Sequence, residues 1–86
     1  MSNQHLPILF VDDDPVSHKV IQRYLRDWEV THVYSGEEAL SALREKNVII
    51  VITDLMMPGM HGLELLEEIK KTYGNRVKVV VVTVSV

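Results

Sequence analysis

The chain has 86 residues, 47% hydrophobic and 24% charged, with 9 lysines and arginines against 12 acidic residues and a formal net charge of −3. That length bounds one small domain, the apolar content excludes a disordered chain, and the acidic balance offers no footing for nucleic acid or an anionic membrane surface. Cysteine is absent, which removes disulfides, thiolate zinc sites and cysteine nucleophiles.

The opening "MSNQHLP" lacks the basic start and apolar core of a secretory signal, and no apolar stretch approaches the ~20 residues that span a bilayer. The expected location is the cytoplasm. No repeat, low-complexity segment or linker interrupts the chain.

"PILFVDD" (Pro7–Asp13) is a short apolar run ending in acids and reads as a first strand. Asp14 followed by Pro15 supplies a capping side chain and a proline at the first helical position. Val16, Val20, Ile21, Tyr24, Leu25 and Trp28 then recur at helical spacing as one apolar stripe, with Trp28 packing at the helix end. "EVTHVYS" is a more polar strand suited to a sheet edge. Ser35 and Glu38 have capping-box spacing and open a helix to about Lys46, with Ala39, Leu40, Ala42 and Leu43 as its apolar residues.

"VIIVITD" (Val48–Asp54) is a continuous β-branched run, the pattern of a central parallel strand. "LMMPGMHG" is a loop, in which Met56, Met57 and Met60 serve packing. A third helix runs from Leu63 to about Tyr73, with Leu65, Ile69 and Tyr73 spaced by four and a charged, solvated outer face on which Glu67 and Lys71 can pair. Gly74-Asn75 ends it, and "RVKVVVVTVSV" (76–86) is a valine run expected to be buried on both faces.

The order β-α-β-α-β-α-β implies an α/β fold, with parallel strands joined by right-handed crossovers and helices on both faces of the sheet. Chemistry in such sheets gathers beyond the carboxyl ends of the strands. That rule selects Asp12, Asp13 and Asp14 after the first strand, Asp54 after the third, and Thr83 and Ser85 late in the fourth.

Three consecutive acids brought beside Asp54 repel one another, and a hard divalent cation relieves the repulsion; Mg²⁺ takes one or two protein carboxylates plus waters and phosphate oxygens. A carboxylate can also attack phosphorus to form an aspartyl phosphate. Asp54, the lone acid ending the most apolar strand, is the better nucleophile candidate. The plainer reading is an N-cap at Asp14 and ordinary turn chemistry at its neighbours.

"ILFVDDDP", "VIIVITD", "DLMMPGMHG" and the hydroxyl of "VVVVTVS" together resemble the receiver domain of two-component response regulators, from about Leu6 to Val86. The resemblance implies a flavodoxin-like fold with strand order 2-1-3-4 over the strands present. It also implies a signalling domain rather than an enzyme, with self-phosphorylation and autodephosphorylation at most. In this reading Asp54 is the phosphoacceptor, supplied by a sensor histidine kinase or a phosphotransfer protein. Asp12, Asp13, Asp54 and the backbone carbonyl of Met56 hold Mg²⁺, and Thr83 is the switch hydroxyl. Pro58 and Gly59 shape the loop, and Gly62 precedes the third helix.

Two departures from the receiver pattern stand out. Val84 is bulky where the family carries a small residue after the switch hydroxyl. A complete receiver has five β-α units and a lysine ending its fifth strand; residues 1–86 read as a receiver lacking the fourth helix, fifth strand and fifth helix, with switching impaired. Lys78 begins the fourth strand, and Lys19, Lys46, Lys70 and Lys71 lie on helices. Without a fifth strand the fourth becomes an edge, and the expected remedy is a homo-oligomer formed by pairing of the 77–86 strand.

Two other readings compete. "DDDPV" (Asp12–Val16) satisfies the D-x-D-x-[TV] pattern of haloacid-dehalogenase-like phosphohydrolases, with Asp12 as nucleophile, Asp14 as acid/base and Thr83 or Ser85 as a second-motif hydroxyl. It leaves Asp54 and its loop unexplained. The other is a non-phosphorylated, self-associating interaction module. His5, His18, His32 and His61 show no ligand-like pairing on a helix, and surface or packing roles are expected for them.

Overall fold

The computed structural model describes residues 7–54 and 62–82. Its elements follow the expected order: β1 (Ile8–Val11), α1 (Pro15–Tyr24), β2 (Val30–Val33), α2 (Gly36–Glu45), β3 (Ile50–Asp54), α3 (Gly62–Tyr73) and β4 (Lys78–Val82), with a 3-10 turn over Gly74–Arg76 before β4. The strands form one sheet in the order β2-β1-β3-β4, and every neighbouring pair is parallel.

The helix starts are made by the side chains that the sequence singles out. Asp14 is extended (φ −97°, ψ 117°), and its carboxylate accepts the Val16 N–H at 2.9 Å, with Pro15 opening α1. At α2 the Ser35 hydroxyl oxygen accepts the Glu38 N–H at 3.0 Å, while the Glu38 carboxylate accepts the N–H of Tyr34 at 2.8 Å. This is a capping box whose return bond reaches one residue further back than usual. Gly74 follows α3 at φ +60°, the left-handed conformation that a residue without Cβ adopts freely.

The pleat divides the sheet into two unequal faces. Leu9 and Val11 of β1 and Val51 of β3 point to one side, where Ala39 and Leu43 of α2 and Leu65 and Ile69 of α3 close over them. Leu9, Val11, Val51, Leu65 and Ile69 are all wholly buried, and each contributes ~1.5–3 kcal/mol by leaving water. The four-residue spacing of Leu65 and Ile69 puts both on the face of α3 that meets the sheet.

The other face carries α1 over Phe10 and the β2 side, and here two expectations change. The apolar stripe of α1 splits into two rows. Val16, Val20 and Tyr24 remain 64%, 46% and 79% exposed, whereas His18 is buried and Ile21 and Leu25 are half-buried. The rows are neighbours on the helix surface, and only the second faces the sheet. Trp28 lies beyond the helix, in the turn before β2, and is 40% exposed.

β4 also departs from burial on both faces. Its residues alternate, with Lys78, Val80 and Val82 exposed and Val79 and Val81 half-buried. The strand lies at the end of the sheet order, and among the described residues only the α3 side is covered. A groove of about 530 Å³ follows, walled by Val16 and Val20 of α1 and by Phe10, Ile52, Val80 and Val82 of the sheet.

Candidate functional site

Parallel strands bring the carboxyl ends of β1 and β3 to one edge. Val11 pairs with Thr53, so the next residues, Asp12 and Asp54, stand side by side at the carboxyl edge. Asp12, Asp13 and Asp54 each offer a carboxylate oxygen, and the three oxygens lie within 4.8 Å of one another. Asp12 is buried (4% exposed), Asp54 half-buried and Asp13 exposed. The apolar groove ends at this cluster, with Asp12 and Asp54 in its lining.

Asp12 is held from three sides. Its N–H donates to the Val33 carbonyl at 3.2 Å, continuing the β1–β2 ladder. Its carboxylate accepts the Asp14 N–H at 2.9 Å, which closes the turn into α1. Its carbonyl lies 2.8 Å from Nε2 of His18. On the β3 side, Thr53 is wholly buried, and its hydroxyl donates to the Asp54 carbonyl at 3.1 Å.

His18 and His32 are brought together although 14 residues separate them, with their Nδ1 atoms 2.7 Å apart. His18 stands edge-on to Phe10 at 4.9 Å between ring centroids and lies against Tyr34 at 4.1 Å. Burial holds the His32 pKa below its ordinary 6.5, and the neighbouring His18 pushes it further the same way. The expected packing role of His18 is seen, but its pairing with His32 was not foreseen. The only local signal was a polar residue at position 18 in the row with Ile21 and Leu25.

Of the residues singled out in the sequence, Asp12, Asp13 and Asp54 converge. Asp14 stands beside them but engages one carboxylate oxygen as the α1 cap. Met56, Pro58, Gly59, Thr83, Val84 and Ser85 lie outside the described residues, as do His5 and His61. The residue before Thr83, Val82, pairs with Asp54. Lys78 pairs with Ile50, at the opposite end of β3 from the acids.

The donor set fits Mg²⁺: all three groups are hard oxygen donors, and Asp12, Asp13 and Asp54 would hold such an ion, which takes one or two protein carboxylates together with waters.

A parallel sheet in the order 2-1-3-4, with acids after its first strand and an aspartate ending its third, is the architecture of a flavodoxin-like receiver. The chain belongs to the response regulator receiver domain family, whose pattern matches residues 8–86. It is 40% identical over 86 residues to the transcriptional regulatory protein ZraR of Klebsiella oxytoca, an alignment covering 96% of this chain and 19% of ZraR. A response regulator receiver protein from Pseudomonas putida superposes with a TM-score of 0.86 at 26% identity, over 99% of this chain and 73% of that one. A chain from the structure of the histidine kinase ThkA in complex with the response regulator protein TrrA matches with a TM-score of 0.83 at 35% identity, over 91% of this chain and 68% of its own. The chain thus spans about a fifth of ZraR's length. Family membership displaces the phosphohydrolase reading, in which Asp14 would act as acid/base.

Proposed function

We propose that this receiver accepts a phosphoryl group on Asp54 from the phosphohistidine of a sensor histidine kinase or phosphotransfer protein. A carboxylate oxygen of Asp54 bonds to phosphorus as the P–N bond to imidazole breaks, and the departing nitrogen keeps the electron pair and takes a proton. The convergence of Asp12, Asp13 and Asp54 at the carboxyl edge carries this reading. Asp12, Asp13, Asp54 and the Met56 carbonyl are the proposed Mg²⁺ ligands. When bound, the ion neutralises phosphoryl oxygens that would otherwise be repelled by the acids.

The protein's own contribution is placement. The β1–β3 register aligns the acids, the Asp14 N–H and the His18 ring orient Asp12, and Thr53 ties down the Asp54 backbone. Thr83 is the proposed switch hydroxyl. The receiver in the ThkA–TrrA complex supports a kinase partner for this chain, and a cytoplasmic site of action goes with such a donor. The test is treatment with a small P–N phosphodonor such as phosphoramidate, with Mg²⁺, followed by intact-mass measurement. One added phosphoryl group is expected on the wild-type chain and none on Asp54→Asn; equal modification of both would remove Asp54 from its role.

A second reading, self-association, is favoured by one specific observation. Among the described residues β4 ends the sheet order, and its Val80 and Val82 remain 50% and 41% exposed. We propose that two copies pair through β4, antiparallel about a two-fold axis, so that the sheet continues from one protomer into its partner.

A further inference from the structure

The hydrogen bonding of His18 is fixed on one side by its partner. Its Nε2 lies 2.8 Å from the Asp12 carbonyl oxygen, which can only accept, so Nε2 carries the proton. In the neutral ring Nδ1 is then an acceptor. The atom facing it at 2.7 Å is Nδ1 of His32, which donates when both rings are neutral. A directed chain therefore runs from His32 through His18 to the carbonyl of Asp12.

That carbonyl belongs to the peptide unit joining Asp12 to Asp13. The unit is planar, so holding its oxygen fixes the orientation of the bond between two of the three clustered acids. His18 itself has little freedom: it is 3% exposed and bounded by Phe10 and Tyr34. A histidine serving only to fill space needs a partner for each nitrogen. This one takes its partner from the peptide unit that joins two of the three clustered acids.

We propose that His18 is a positioning residue for the carboxylate site. Locked as the Nε2–H tautomer by His32, it clamps the Asp12–Asp13 peptide and so aims both carboxylates toward Asp54. The proposal rests on the reading of these three acids as the Mg²⁺ ligands. Residues that orient ligands without touching the metal typically cost about 10–100-fold in affinity when removed, and the lower end is expected at a site this open to water.

The test is Mn²⁺ titration of the full chain, followed by electron paramagnetic resonance, with urea unfolding measured in parallel. His18→Leu should weaken binding about tenfold under conditions where the variant is fully folded. His18→Gln, whose amide N–H can reach the same carbonyl, should recover most of that affinity. Unchanged affinity in folded His18→Leu overturns the proposal, as does a loss that His18→Gln fails to repair.

If His18→Leu does not fold, His32→Leu carries the question. It should reduce affinity and mix the tautomers of His18 in ¹⁵N spectra, and unchanged spectra with unchanged affinity would refute the lock. A wild-type chain that binds no Mn²⁺ contradicts the metal reading instead. The clamp is then decided by exchange of the Asp14 amide, bonded to the Asp12 carboxylate. Faster exchange in His18→Leu, reversed in His18→Gln, supports it, and equal rates reject it.

Discussion

At the scale of single residues, the acids and the histidines obey opposite constraints. Asp12, Asp13 and Asp54 are brought to one edge by the β1–β3 register, and their mutual repulsion is the feature that invites a cation. His18 and His32 share one proton between facing nitrogens, so a second proton there sets two N–H groups against each other. The pKa of His32 lies below 6.5 in the folded protein, through burial first and the charge of His18 second. In the unfolded chain His32 therefore binds its proton at higher pH than in the folded one. The associated stability is complete above pH 6.5 and is lost as pH falls through the lowered folded value. Urea midpoints should decline as pH falls below 6.5, and His32→Gln should flatten that part of the profile. An identical slope in the variant would place the titration elsewhere. The three acids were legible because each follows a strand; the histidine pair was not, because it joins α1 to β2 and neither partner's sequence neighbours refer to the other.

At the scale of elements, local signals that state their own geometry were read correctly. Asp14-Pro15, the Ser35–Glu38 spacing and Gly74-Asn75 each mark a helix boundary through a backbone bond or a backbone angle, and each boundary falls where those residues put it. Ser35→Ala removes the acceptor for the Glu38 N–H at the head of α2. It should cost ~1 kcal/mol, read as a lower urea midpoint at unchanged slope. Burial was less legible than boundaries. The α1 stripe and the β4 valines are equally apolar in sequence, yet Val16, Val20, Val80 and Val82 stand exposed while His18 is buried. Apolarity declares that a surface suits burial; which rows are covered depends on the element that arrives over them, and α1 covers only the β2 side of its face of the sheet.

At the scale of the whole molecule, the described residues form a sheet with one well-covered face and one partly open face. The closed face holds Leu65 and Ile69 against β1 and β3 and supplies the main core. The open face leads along Phe10, Ile52, Val80 and Val82 directly to the acid cluster, so the surface proposed to associate and the surface proposed to react are continuous. Association through β4 should appear in sedimentation as a dimer. The double substitution Val80→Lys, Val82→Lys should shift it toward monomer without loss of the acid site, since the added charges resist edge pairing. A wild-type chain that stays monomeric at moderate concentration would contradict the pairing. The strand order was legible only through the receiver resemblance: alternation of strands and helices implies parallel strands, but it does not say which strand lies beside which.

The most direct measurement is peptide mapping of the chain after reaction with phosphoramidate, with and without Mg²⁺. A single acyl phosphate is expected, on Asp54, formed only when Mg²⁺ is present. Modification at Asp12, or an unmodified chain in the presence of Mg²⁺, would contradict it.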